Sequence, residues 1–135
     1  MNDLTGVTAA TEGRYVVAAG GCWNWIGTIN KDGYPLIRFK YRQWRAHRLH
    51  FAFYKGALVP EMEIDHLCNN RRCVNPAHLE QVTSDENNRR AAERRGTCRR
   101  GHVRTPENLI WTGHSSACRE CVNMRQRLRR QGKAE

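Results

Sequence analysis

DHLCNNRRCVNPAHLE, Asp65 to Glu80, places two His, two Cys, one Asp and three Asn within sixteen residues. Each of these residue types can ligate a metal, by soft sulfur, imidazole nitrogen or hard oxygen. The fold turns on whether the stretch serves one ion or two, and whether any donor is left for chemistry. Its flanks read as regular structure. VPEMEIDHL, with Ile64 and Leu67, predicts a short strand entering the segment, and HLEQV alternates like a second strand leaving it. TSDENNRRAAERRG then predicts a helix with Ser84 as N-cap, Asp85 and Glu86 complementing its positive end and Gly96 closing it. On that reading Asn87 stands where a capping box wants Glu or Gln. The order is strand, loop, strand, helix.

Upstream, residues 1–13 read as a flexible leader. From Arg14 the runs RYVVA, CWNWIG and YPLIRFKY, with a KDG turn at Lys31–Gly33, predict an antiparallel hairpin or meander. AHRLHFAFYKG changes to a helical period, with Ala46, Leu49 and Phe53 on one face and Gly56 as the stop. The chain of 135 residues with 39% hydrophobic content holds one domain, or one domain plus a small appendage, with a core small enough to call for staples. No apolar run approaches membrane-spanning length and the N-terminus lacks a secretory pattern, so a reducing cytoplasm is expected, with no membrane partner. Six cysteines in that setting read as metal ligands rather than disulfides.

Lys and Arg number 23 against 13 acids, a net charge of +10. From Glu86 to Glu135 thirteen Lys and Arg face five acids, so most of the excess lies in the last fifty residues. Such a basic half reads either as a nucleic-acid footprint, each neutralised phosphate releasing counterions, or as a solvated tail that maintains solubility.

CRRGH followed by CREC pairs Cys-x3-His with Cys-x2-Cys, the spacing of a closed tetrahedral zinc site: Cys98, His102, Cys118 and Cys121, with His114 an alternative to His102. Cys22, Cys68 and Cys73 remain, and His78 supplies a fourth ligand for a second zinc, unless Cys22 is an ordinary buried residue. Two filled sites leave no open coordination position, so both zincs would be structural. Asp65 and His66 are then left over. Asp65 and Asn87, the latter on the following helix, offer hard oxygens to a Mg²⁺-like ion, or serve only as turn and cap residues. His66, titrating naturally near neutrality, can take a proton from an attacking water.

With these residues assembled, the stretch from Asp65 to Asn87 resembles the HNH nucleases of the His-Me finger (ββα-metal) superfamily, in the form of small phage-type HNH endonucleases. The Cys-rich version is also similar to the His-Cys box homing endonucleases, whose loop cysteines, a later His and an upstream Cys bind structural zinc. The resemblance covers Cys22 to about Cys121. It implies that His66 is the general base, Asn87 and Asp65 ligands of a catalytic Mg²⁺, and Asn75 a group that orients His66. His78 occupies a position that binds the catalytic metal in some HNH enzymes and is assigned here to zinc. The implied reaction is one-metal phosphodiester hydrolysis leaving 5′-phosphate and 3′-hydroxyl ends. Arg42 and Arg45, beyond the hairpin, are candidates for a transition-state cation or for simple backbone contact. Arg89, Arg90, Arg94 and Arg95 would track DNA or line a solvated helix face. His47, His50, Trp23, Trp25 and Trp44 read as packing residues, and MRQRLRRQGK as a phosphate-contacting helix or a frayed tail.

The expected fold is therefore α+β: N-terminal antiparallel strands, a ββα-metal core over 14–96 and a zinc module with a basic tail over 97–135. The expected function is a Mg²⁺-dependent DNA endonuclease of homing or phage-mobility type, acting in the host cytoplasm if phage-encoded. A monomer would nick and a homodimer would cut both strands. A non-catalytic zinc regulator that binds nucleic acid and an RNA-directed nuclease are the alternatives.

Overall fold

A computed structural model describes residues 3–112 and 115–132; His114, the alternative ligand, lies outside them. The fold is mixed α+β, as expected. The elements in order are α1 (Val7–Thr11), β1 (Tyr15–Val17), β2 (Trp23–Trp25), β3 (Leu36–Phe39), β4 (Arg42–Arg45), α2 (Ala46–Tyr54), β5 (Met62–His66), β6 (Leu79–Thr83), α3 (Ser84–Arg94), β7 (Leu109–Trp111), β8 (Ser116–Cys118) and α4 (Arg119–Gln131). Short 3-10 turns at Pro76–His78 and Pro106–Asn108 precede β6 and β7. The chain forms two compact units, Met1–Val82 and Thr83–Glu135. The division falls at the start of α3.

In the first unit β1 pairs antiparallel with β2 (Tyr15 opposite Trp25), and β3 with β4 (Phe39 opposite Arg42). The KDG turn forms, with Asn30 Oδ1 accepting from the N–H groups of Asp32 (3.0 Å) and Tyr34 (2.9 Å), yet it closes only the isolated Ile29–Pro35 bridge. The true hairpin turns at Lys40–Tyr41, both at positive φ (45° and 64°), the twist that a two-residue hairpin demands. No glycine marks it, so the sequence reading missed it, and Arg42 and Arg45 lie within β4 rather than beyond the hairpin.

Over its described length the leader carries α1. Val7 on α1 is fully buried in a core with Trp25, Ile37, Phe39, Trp44, Ala46, Leu49 and Val74, and Leu4 and Ala10 pack against it. The spacing 4, 7, 10 is helical, but five residues are too few to announce a helix by propensity. Helix α2 forms as expected and buries Ala46 and Leu49. Its other apolar anchor is Phe51, packed with Ile64 and Leu79, while Phe53 is exposed. Because the helix meets two clusters, one stripe does not describe it. Val74 carries the Asp65–Glu80 loop directly into the main core.

In the second unit the N-cap of α3 is Thr83, one residue earlier than expected, its side chain accepting from the Glu86 N–H at 3.2 Å. Glu86 then stands at the third helical position, the capping-box site, although its carboxylate pairs with Arg89 and Arg90. Gly96 ends the run at φ +71°. Strands β7 and β8 pair antiparallel, Leu109 opposite Cys118, and feed α4. Among the described residues no helix is long and apolar enough to cross a membrane.

Candidate metal centres and active site

Cys22, Cys68, Cys73 and His78 converge in the first unit, and Cys98, His102, Cys118 and Cys121 in the second. In each group the four ligand atoms lie within 4.8 Å of one another. A tetrahedron with zinc bond lengths has S···N edges of about 3.6 Å and S···S edges of about 3.8 Å. In the first group His78 Nδ1 lies 3.6 Å from Cys22 Sγ and 3.5 Å from Cys73 Sγ. In the second, His102 Nδ1 lies 3.5, 3.6 and 3.3 Å from Cys98, Cys118 and Cys121, and the Cys98 and Cys121 sulfurs are 3.8 Å apart. Both groups therefore fit a zinc ion. Burial pushes the Cys73 thiol up to about 12, so binding an ion there displaces a proton that neutral solution alone would leave on sulfur.

Backbone bonds bring Cys22 to the loop. Val74 N–H donates to the Trp23 carbonyl and Trp25 N–H to the Arg72 carbonyl, each at 2.9 Å. Asn75 joins this seam: its Oδ1 accepts from Ala77 N–H at 3.0 Å, starting the 3-10 turn that presents His78, and its Nδ2 donates to the Gly21 carbonyl at 2.7 Å. Gly21, at φ +86°, faces the His78 ring. Glycine fits this conformation without the strain a side chain would add. The second group is built by a tight knuckle. Cys98 N–H donates to His102 O and Gly101 N–H to Cys98 O, both at 3.0 Å. Cys118 is the N-cap of α4 and Cys121 lies in its first turn.

Asp65 and His66 end β5, both buried. Strand geometry sends their side chains to opposite sides. His66 Nε2 lies 3.1 Å from the Cys73 carbonyl oxygen. A carbonyl only accepts, so Nε2 carries the hydrogen, which in the neutral imidazole leaves Nδ1 as the acceptor. The ring sits 4.8 Å from that of His47 and 6.2 Å from that of Tyr34. Burial, followed by the charges of His66 and nearby arginines, holds His47 well below its ordinary value. It therefore stays neutral beside His66. The Arg45 and Arg71 guanidiniums lie 5.0 and 5.3 Å from the Tyr34 ring. Neither Tyr34 nor Arg71 was singled out from sequence; Arg71 sits inside the motif itself, between the two loop cysteines.

Arg42 lies over the Trp44 ring at 4.5 Å. With Arg45, Arg48, Gln43, Trp44 and Leu58 it lines an open cleft of about 310 Å³. Arg48 is another residue that sequence reasoning passed over, although it follows Arg45 by one helical turn. Burial, then the charges of Arg45 and Arg42, pushes its guanidinium below its usual value. The α2 N-terminus at this cleft has neither a side-chain cap nor an acid in its first turn. Three arginines, of which Arg48 is partly offset by the Glu63 carboxylate, beside a positive helix end suit an anion.

Asn87 lies on α3 in the second unit, half-buried. Asp65 and Asn87 offer carboxylate and amide oxygens, the donor chemistry of a hard divalent ion. On the same helix, Glu86 engages Arg89 at 2.5 Å and Arg90 at 2.9 Å, which reduces the charge that these two present; Arg94 and Arg95 lie at the exposed end of the helix.

Comparison with known proteins places these observations. Residues 45–89, from the end of β4 through Asp65, His66 and His78 to the first turns of α3, match the HNH endonuclease family. Protein 2.8 of Escherichia phage T7 is 30% identical over 105 residues, covering 76% of this chain and 71% of its own length. No solved structure matches. By the family match over the His66 segment and the extent of its likeness to the phage protein, the chain belongs to the HNH endonuclease family.

Proposed function

We propose that the protein is a divalent-metal-dependent DNA endonuclease in which His66 is the general base and the two sulfur-rich groups hold structural zinc. The observation that carries this reading is the 3.1 Å contact of His66 Nε2 with the Cys73 carbonyl. The residue that donates sulfur to the first metal group also fixes the tautomer of the imidazole and presents Nδ1 as acceptor. Both candidate zinc sites use four protein donors and so are closed, which separates scaffold from chemistry.

In the proposed reaction Nδ1 of His66 removes a proton from water as its oxygen attacks the phosphorus in line with the departing 3′ oxygen. The P–O3′ bond breaks, leaving a 5′-phosphate and a 3′-hydroxyl whose proton comes from solvent. Asp65 and Asn87 are the residues assigned to hold Mg²⁺, which when bound would stabilise charge on the phosphoryl group and the leaving oxygen. His47, neutral and packed against His66, excludes water from one side of the base. Arg42, Arg45 and Arg48 hold phosphate oxygens of the strand, with Arg89, Arg90, Arg94 and Arg95 as further backbone contacts. Asn75 acts through the loop, holding the turn that bears His78. A homing or phage-mobility role accords with the phage relative.

Supercoiled plasmid incubated with zinc-loaded protein and Mg²⁺ tests the reading. Conversion to nicked or linear DNA is expected, with little conversion when Mg²⁺ is omitted. No cleavage under any divalent ion would make the protein a zinc-containing nucleic-acid binder, and preferential cleavage of RNA would move the substrate class.

A further inference from the structure

Helix α4, RECVNMRQRLRRQ, buries none of its residues. It carries five Arg and a single Glu, and every position from Arg125 onward is exposed. Its first turn, in contrast, is held at several points. Cys118 and Cys121 belong to the second metal group. Asn108 Oδ1 caps the helix by accepting the Glu120 N–H at 3.1 Å, while its Nδ2 donates to the Glu120 carboxylate at 3.0 Å. Arg119 Nε donates to the Glu107 carbonyl at 2.8 Å. The unit thus fixes the direction of a helix whose outer two turns touch little of it.

At 100° per residue, Asn123, Gln126, Arg127 and Arg130 fall within an arc of about 100°, on the reverse side from Cys118 and Cys121. All four are exposed. Arg129 and Arg130 in the last turn suit the helix dipole, but that accounts for neither Asn123 nor Gln126 nor Arg127. Repulsion among arginines three and four residues apart opposes the helix unless an anion compensates it. The set is also chemically specific. Asn and Gln form bidentate pairs with adenine, Arg with guanine, and the major groove admits a single helix.

We infer that this face of α4 reads base edges in the major groove of duplex DNA, Asn123, Gln126, Arg127 and Arg130 making the base contacts and Arg125 and Arg129 the flanking phosphate contacts. The second metal group aims the helix. The inference rests on the proposed action on DNA but concerns recognition rather than cleavage. It makes the second unit the specificity element of the protein.

The test uses the full zinc-loaded chain carrying His66→Ala, so that bound DNA survives, with selection from a random duplex library. The parent is expected to enrich a short contiguous motif. Asn123→Ala and Arg127→Ala should each relax one position of it by about tenfold or more. Arg129→Ala should weaken all sequences alike and lower the salt slope by about one. Zinc content and melting temperature must match the parent, as exposed positions allow. Failure of the parent to enrich any motif, the same motif in all variants, or preference for RNA over duplex would overturn the inference. Selective binding lost in the Asn123/Arg127 double variant, with no Mg²⁺-dependent cleavage by wild type, would sink the nuclease reading alone. Cleavage with the motif intact in the double variant would sink the α4 reading alone.

Discussion

Replacing Cys22 by Ser tests the first metal group at its most distant ligand. Cys22 precedes β2, whereas Cys68, Cys73 and His78 come from one short segment, so an ion there cross-links a chain loop of about fifty residues. Closing a loop of that length in the unfolded state is worth about 4 kcal/mol on the chain-entropy model. Part of the link survives without sulfur, through the Asn75–Gly21 bond of 2.7 Å and the Val74–Trp23 bond of 2.9 Å. A loss of about 2–4 kcal/mol follows, a large part of the ~5–15 kcal/mol of a typical domain. For a unit of this size it lowers the melting temperature by roughly 10–25 °C. The assay is zinc by mass spectrometry after dialysis against a weak chelator, with thermal melts of the same samples. Cys22→Ser should hold one zinc firmly where wild type holds two, and chelation should destabilise it less. Two tightly held zincs and an unchanged melt in the variant would refute the placement of Cys22 in the group.

Burial pushes the His50 imidazole down to about 4, so the unfolded chain, titrating near 6.5, binds the proton first. That contribution to stability is fully present above about pH 6.5 and lost as pH falls toward 4, by up to about 3 kcal/mol. His47 acts in the same direction. Urea melts should show stability rising over that window, and His50→Phe should flatten the rise relative to wild type. Arg48→Ala should weaken DNA binding in all sequences and reduce the salt slope by about one, measured by fluorescence anisotropy; an unchanged slope would remove Arg48 from the phosphate cleft. Thr83→Ala deletes the α3 cap and should cost about 1 kcal/mol in chemical denaturation of the second unit.

The ligand groups were legible because metal binding constrains residue type and spacing together: CxxC with CxxxH, and DHLCNNRRC with a later His, leave few alternative readings. The strand–loop–strand–helix order was legible from periodicity and turn residues. What escaped were features set by tertiary contact. Lys40 and Tyr41 carry no turn signature, and their positive φ values are held by the pairing of β3 with β4. Val7 gains its helix from the core it enters. Phe51 displaces Phe53 because α2 meets a second cluster built by Ile64 and Leu79. The His66 tautomer was invisible for a similar reason: its partner is the backbone carbonyl of Cys73, and a carbonyl has no residue-type signature. Ser84 was a reasonable cap, but Thr83 at the end of β6 already has the extended backbone that the position needs.

The division between scaffold metals and a single reactive imidazole is tested most directly by cleavage and metal content measured together on wild type and His66→Ala. Both proteins are stripped of loosely bound ions and supplied with Mg²⁺, well below the variant's melting temperature. The expected result is two zincs in each protein, Mg²⁺-dependent plasmid cleavage by wild type, and a rate about 10²–10⁴-fold lower in the variant. Cleavage by His66→Ala at the wild-type rate, or loss of a zinc upon that substitution, would contradict it.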